Sequence, residues 1–317
     1  MLGIVIPAYK RRDCLREALQ SLIYQTFKRF FVIVVDDHSP ERLEDVVMEF
    51  EDKLHIKYVY ADKNGGPGAA RQIGLDICYK SNFDLVMFMD SDDMLYPNAV
   101  ARLTYEINHT KSDIVSASIW AEDSAGVGNK INGDNKTWLH GKIYRTKYLK
   151  NNDICFPPMR TNEDLAFNLM AIENTKNKFI LDEVLYLFRH EPGSITREGS
   201  RTASVLSIDY VTGIYYAAKY LNERKGITPQ IVIDIIACYN HYEIGTELIK
   251  EIPDIIKEQM RYLLSLKEVK DFLSHRTNIY EINKIIQVGF IYQKQVYYFK
   301  RTFKEWLEEF EDACSSN

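Results

Sequence analysis

The chain has 317 residues, 46% of them hydrophobic and 27% charged, which excludes collagen-like repeats, disordered tails and small disulfide scaffolds. A net charge of −5 argues against a dedicated nucleic-acid binder, and the length suits one large domain with an appendage, or two domains. Five scattered cysteines (Cys14, Cys78, Cys155, Cys238 and Cys314), none in a C-x-x-C pair, read as reduced thiols with no zinc grouping.

Residues 2–6 read as a buried strand ended by Pro7. No basic region precedes it, so no cleavable leader is expected. No run approaches the roughly 18 apolar residues of a spanning helix. The expected location is the cytoplasm, with the inner face of the membrane as a variant of it.

Residues 11–24 place Leu15, Ala18, Leu19 and Leu22 at helical spacing. Strands follow at 30–35 and 56–60, then a helix at 69–78 and a strand at 85–89. Such alternation predicts an α/β fold, a mostly parallel sheet with helices on both faces. Ligands of such sheets bind beyond the carboxyl ends of the strands. A helix is expected from near Pro97, a strand at 114–120, a polar loop at 122–136, a helix at 161–173 and one or two strands at 178–188. Beyond about Ser200 strand signals fade, and 204–221, 230–249, 253–266 and 280–310 favour helices. The chain is therefore divided into residues 1–200, a catalytic-type domain, and 201–317, a helical C-terminal region.

Four clusters carry chemistry. Asp90-Ser91-Asp92-Asp93 directly follows an apolar strand. Crowded carboxylates repel unless something cationic joins them, and hard ions such as Mg²⁺ or Mn²⁺ take carboxylate and phosphate oxygens. The cluster reads as a metal–diphosphate clamp or as an acidic turn before the next helix. Asp36-Asp37 ends the second strand, where carboxylates can accept from a base or ribose, although Asp is also an ordinary turn residue. Asn64-Gly65-Gly66-Pro67-Gly68 opens a helix bearing Arg71, which can meet phosphate or base. It departs from the dinucleotide fingerprint, because Arg71 stands at the third glycine and the loop follows the third strand. Thr161-Asn162-Glu163-Asp164 fits a variant capping box, and equally anchors a general base at a helix start.

Taken with Ile4-Val5-Ile6-Pro7-Ala8-Tyr9, these motifs occur in an order that resembles the family 2 glycosyltransferases, inverting enzymes of the GT-A fold. The resemblance covers roughly residues 2–196. It implies that Pro7, Ala8, Tyr9, Asp36, Asp37, Gly65, Arg71, Asp90 and Ser91 form the nucleotide site. Asp90, Asp92 and His190 would serve Mn²⁺ or Mg²⁺, with Asp93 close by. Asp164 would be the base, with Glu163 beside it, and Trp138, His140 and Lys142 would border the acceptor. The implied donor is a nucleotide-diphospho-sugar, with uridine favoured. The implied acceptor is a hydroxyl of a glycan, a lipid-linked molecule or a polymer.

Residues 284–304 carry five basic side chains and no acid, interleaved with aromatics. That pattern suits an anionic membrane surface. It suits packing on the catalytic domain or in a homo-oligomer better, since aromatics at helical spacing are usually core. Three rival readings remain at this level. A nucleotidyltransferase is disfavoured because Lys10-Arg11-Arg12 replaces a glycine-rich loop after the first strand. A degenerate sugar-nucleotide-binding protein is disfavoured by intact Asp90, Asp92 and Asp164, and a dinucleotide oxidoreductase by the glycine loop.

Overall fold

The computed structural model describes residues 1–191 except 124 and 160, then 203–248, 253–274, and the pairs 291–292 and 295–296. The chain divides into two compact units, Met1–Glu198 and Gly199–Asn317.

The first unit is built on a nine-stranded sheet. β1 (Leu2–Ala8) is buried along its whole length, as an apolar strand covered on both faces must be. It pairs in parallel with β2 (Phe30–Asp36) on one side and β4 (Leu85–Phe88) on the other, and β2 pairs in parallel with β3 (Ile56–Tyr60). The chain therefore builds outward from β1 to β3, then returns past β1 through α3 (Pro67–Lys80) to place β4. The order reverses between β1 and β4. Such a reversal leaves a crevice beyond the strand ends.

Past β4 the sheet becomes mixed. β8 (Lys142–Arg145) runs antiparallel to both β4 and β6 (Ile114–Glu122), and β6 is parallel to β9 (Lys178–Phe188). β9 is a single eleven-residue strand with a bulge against β6. β5 (Met94–Leu95) ends the sheet against β9, and β7 (Gly128–Ile131) pairs with β6. The expected polar loop at 122–136 thus contains a strand. Its sequence, Gly-Asn-Lys-Ile, lacks an apolar alternation, and it is held by pairing with β6 instead.

Helix α1 (Arg12–Ile23) buries Leu15, Ala18, Leu19 and Leu22 completely, the four positions expected to face the core. α3 lies unusually close to β1. A Cβ placed on Gly74 would stand 2.3 Å from Val5 Cγ1, and one on Gly3 would stand 2.5 Å from Cys78 Sγ. Glycine lets these elements approach, and an added methyl would have to displace the packed side chains of Val5 or Cys78. Gly74→Ala is expected to cost about 1–3 kcal/mol of unfolding free energy through overpacking, measurable by urea titration. The short α2 (Glu44–Met48), α4 (Ala99–Thr110), α5 (Thr146–Asn151) and α6 (Glu163–Asn174) complete the helices of this unit.

In the second unit, α7 (Ala203–Arg224), α8 (Pro229–Leu248) and α9 (Asp254–Ser265) match three of the helices expected there, followed by α10 (Lys267–Ser274). Val211, Ile214, Ala218 and Leu221 of α7 are buried, as are Ile231, Ile235 and Ile236 of α8 and Met260 and Leu263 of α9. Thr212 Oγ1 donates to Gln259 Oε1 at 2.9 Å across α7 and α9. The helix expected at 280–310 is corrected at four described residues. There β10 (Ile291–Tyr292) pairs antiparallel with β11 (Gln295–Val296), consistent with their β-branched and aromatic content. The remainder of that basic aromatic stretch, residues 193–196 and Cys314 lie outside the described residues. Among the described residues, no helix is long and apolar enough to cross a membrane.

Candidate active site

At the carboxyl end of β1, Pro7 and Ala8 are buried and Tyr9 is exposed, with Lys10 Nζ 5.0 Å above its ring. Next door, Asp36 is fully buried and committed to its own loop. It accepts from Ser39 N at 2.8 Å, Leu43 N at 3.0 Å and the Tyr58 hydroxyl at 2.7 Å. Asp37 accepts from the amides of Gly65 and Gly66, both at 2.8 Å, and so ties the glycine loop to the end of β2. A Cβ on Gly65 would meet Ala69 at 2.7 Å, so this loop is as tight as its glycines permit.

Strain collects around this rim. Lys10, Arg11, His38 and Asn162 all hold left-handed backbone, with φ between 42° and 62°, although none is glycine. Each costs on the order of 1–2 kcal/mol, and such conformations cluster where function demands them.

The centre of the site is one buried cation. Arg71, in the first turns of α3, has a side chain only 5% exposed. Its Nη2 donates to Asp90 Oδ1 and its Nη1 to Glu163 Oε1, each at 2.6 Å. Gly68 makes room, since a Cβ there would stand 2.6 Å from Glu163 Cγ. The guanidinium thus joins the end of β4 to the start of α6, two elements 73 residues apart in sequence (163 − 90). Burial would raise the Asp90 pKa, but Arg71 and His140 outweigh it and hold the carboxyl well below the usual range. Burial pushes Glu163 up to about 7 against the pull of Arg71.

The rest of the acidic turn is held from β9. The Tyr186 hydroxyl donates to Asp93 Oδ2 at 2.6 Å and accepts from Asp90 N at 3.1 Å. Arg189 N donates to Asp93 Oδ1 at 3.0 Å, and Arg189 Nε donates to the Asp92 carbonyl at 2.5 Å. Asp93 is fully buried, and that burial pushes its pKa up to about 8. Ser91 is buried within the same turn. Asp92 instead turns its carboxylate to Arg11, with 18% of the side chain exposed.

Asp164 is half-buried beside Glu163 and accepts from Leu165 N at 2.8 Å. Burial raises its pKa, against the pull of Arg71 and His140. A carboxylate moved toward neutrality is better matched to taking a proton at physiological pH. Of the three residues expected at the acceptor border, Trp138 is half-buried, with its ring centroid 4.8 Å from that of Phe188. His140 is buried, and its Nε2 donates to Asp90 Oδ2 at 3.1 Å and lies 3.6 Å from Asp93 Oδ2. Lys142 is 2% exposed, with Nζ donating to the Trp138 carbonyl at 2.5 Å. Burial lowers its pKa to about 8, while Asp164 and Asp134 pull the other way. His190, half-buried beyond β9, stands outside the one cluster of potential ligands found among the described residues.

That cluster is Asp90, Asp93 and His140, whose ligand atoms lie within 4.8 Å of one another. Two carboxylates and an imidazole suit a divalent ion by type. Their atoms are already engaged, however: Asp90 by Arg71 and His140, and Asp93 by Tyr186 and Arg189. Asp92 is engaged as well, through its pair with Arg11, with 18% of its side chain exposed. Sequence reasoning singled out neither Arg11 nor Tyr186. The basic run Lys10-Arg11-Arg12 after β1 was the available signal for the first, and nothing local marks the second.

The same burial sets a pH dependence. Asp93 binds its proton more tightly in the fold than in the unfolded chain, and burial does the same for Glu163 and Asp164. His140 is also raised: burial works against the shift, and Asp90 and Asp93 outweigh it. Between about pH 4 and 8 the native state therefore carries more protons, and its stability falls as pH rises. Tm is expected to fall by roughly 3 °C per pH unit across pH 5–8, and less steeply in Asp93→Asn. A flat or rising Tm would contradict the protonation of this cluster.

These elements have counterparts in known proteins. The sequence matches the family described as "Glycosyl transferase family 2" over residues 3–162, just over half of the chain. The chain belongs to this family. The family 2 match ends at Asn162, immediately before Glu163 and Asp164. Over 218 residues the chain is 29% identical to poly(ribitol-phosphate) beta-N-acetylglucosaminyltransferase TarS of Staphylococcus aureus, covering 64% of this chain and 37% of TarS. It is 27% identical over 192 residues to a poly(ribitol-phosphate) beta-glucosyltransferase of Bacillus spizizenii, covering 55% of this chain and 30% of that relative. The chain thus aligns with only about a third of the length of either relative. The crystal structure of S. aureus TarS 1-349 in complex with UDP-GlcNAc superposes with a TM-score of 0.68 at 20% identity. It covers 93% of this chain and 95% of that one, and so shows the same GT-A fold for this family 2 member.

Proposed function

We propose that this chain transfers a sugar, with inversion, from a UDP-linked donor to a hydroxyl of a cell-wall or cell-surface polymer. The observation that carries this reading is the Arg71 bridge, which ties Asp90, after β4, to Glu163, the chain neighbour of half-buried Asp164. The relatives that act on poly(ribitol-phosphate), and the UDP-GlcNAc complex of TarS, support the choice of donor and acceptor class.

In this reading the nucleotide lies against Pro7, Ala8 and Tyr9, beside the glycine loop that Asp37 fastens. Asp92 would hold a divalent ion, Mn²⁺ or Mg²⁺, which when bound would neutralise charge on the departing diphosphate. Asp90 is fixed in its ionised form by Arg71 and His140, and so keeps the turn rigid. Asp164 takes the acceptor's hydroxyl proton as the oxygen attacks the anomeric carbon from the face opposite the diphosphate. One displacement needs one base, unlike retaining glycoside hydrolysis with its two catalytic carboxyls. Trp138 and Phe188 offer an aromatic wall to the incoming glycan.

The test is incubation of the full chain with UDP-GlcNAc or UDP-glucose, Mn²⁺ or Mg²⁺, and a ribitol-phosphate polymer, following UDP release and the anomeric configuration of the product. Release of UDP with a β-linked product supports the proposal. Absence of release with every donor, or an α-linked product, overturns it.

A further inference from the structure

The acid turn contains one ion pair that nothing in the proposed chemistry uses. Arg11 Nη1 donates to Asp92 Oδ2, across 81 residues of sequence. Both partners are partly open to solvent, 23% and 18% exposed, whereas the Arg71–Glu163 pair is buried on both sides. Arg11 reaches Asp92 from a turn that is expensive to make. Lys10 and Arg11 are consecutive left-handed residues, and the turn is pinned by Lys10 N donating to Ser39 Oγ at 2.8 Å. It leaves β1 beside the end of β4, where Met89 N donates to Val5 O at 3.0 Å and the strand order reverses. Strain of this kind is retained where a side chain has to be aimed.

We propose that Arg11 is a resident cation for Asp92, which a divalent ion displaces and which then grips the diphosphate of the donor. The inference rests on the nucleotide-sugar reading above and adds to it a second binding role and a sequence of charge exchange. The physics is a competition. A +2 ion outbids a +1 guanidinium for a carboxylate that both can reach, because its attraction at a given separation is twice as large. The released guanidinium has a planar fork that matches two phosphate oxygens. Arg11 precedes α1 at its N-cap position, so only its side chain need move.

The two roles have opposite signs, which a merely structural arginine cannot imitate. The experiment titrates the full chain with MnCl₂ alone, followed by the spectrum of free Mn²⁺, then with UDP and with UMP at saturating Mn²⁺. In Arg11→Gln, bare Mn²⁺ is expected to bind about two- to fivefold tighter, because its competitor is gone. UDP is expected to bind roughly tenfold weaker, and UMP within about twofold of wild type, since the lost contact is to the second phosphate. Arg11→Lys should fall between wild type and Arg11→Gln in both titrations. Weaker binding of Mn²⁺ and UDP together, accompanied by a lower Tm, would assign Arg11 to the scaffold and overturn the proposal, as would unchanged affinities. If wild type shows no Mn²⁺-dependent UDP binding, the nucleotide-sugar reading itself fails, and the Arg11 proposal with it.

Discussion

Asp164→Asn is expected to lower sugar transfer by about 10²- to 10⁴-fold while leaving nucleotide affinity within about twofold. The substitution keeps the shape of the side chain and an oxygen that can still accept from Leu165 N. It removes the ability to take a proton. Burial has already moved the Asp164 pKa upward, so the loss falls on a group tuned for that task. Initial rates of UDP release, beside UDP titrations of wild type and variant, separate the two effects. Near-normal turnover by the variant would remove Asp164 from the chemistry.

Arg71→Met is expected to destabilise the fold by about 3–5 kcal/mol, a large share of the roughly 5–15 kcal/mol typical of a native domain. The methionine fills much of the same volume, so packing is mostly retained. Asp90 and Glu163 are not so spared, since both lose their arginine, Glu163 at a side chain only 5% exposed and Asp90 at one 26% exposed. His140 still faces Asp90, whereas among the described residues Glu163 is left with no cationic partner. Urea unfolding measures the loss. A cost below about 1 kcal/mol would show that the two acids find other partners.

The scaffold of the site could be read along the chain because its parts are local. A β-branched run ending in acids marks a strand end, and the leucines of α1 keep helical spacing whatever surrounds them. Strand ends in an alternating α/β chain fall on one rim, so Pro7, Asp37 and Asp90 could be placed together before any coordinates. What could not be read is the wiring between distant elements. His140 reads as acceptor border, yet its imidazole meets Asp90, 50 residues earlier. Tyr186 reads as strand filling, yet its hydroxyl clasps Asp93, 93 residues away. Such contacts carry no periodicity and no local cost.

Two of the unforeseen strands were hidden for different reasons. β8 is four residues long, Lys-Ile-Tyr-Arg, and its charged ends mask the buried lysine amine that donates to Trp138 O. β7 has almost no apolar content. Its position shows instead at Gly128, where any Cβ would stand 2.1 Å from Trp120 Nε1. Asp92 gives a third case. Spacing places it beside Asp90, but only the left-handed turn at Lys10 and Arg11 explains why a guanidinium covers it.

The Arg71 bridge also governs how this protein can drift. Losing the arginine strands two acids, while losing either acid leaves the arginine with surplus charge, so single exchanges are penalised from every direction. Neutralising Glu163 first would soften the later loss of Arg71, because effects inside one network do not add. Lineages descending from this chain therefore have few viable first steps at Asp90, Arg71 and Glu163, and those positions are bound to change in concert or not at all.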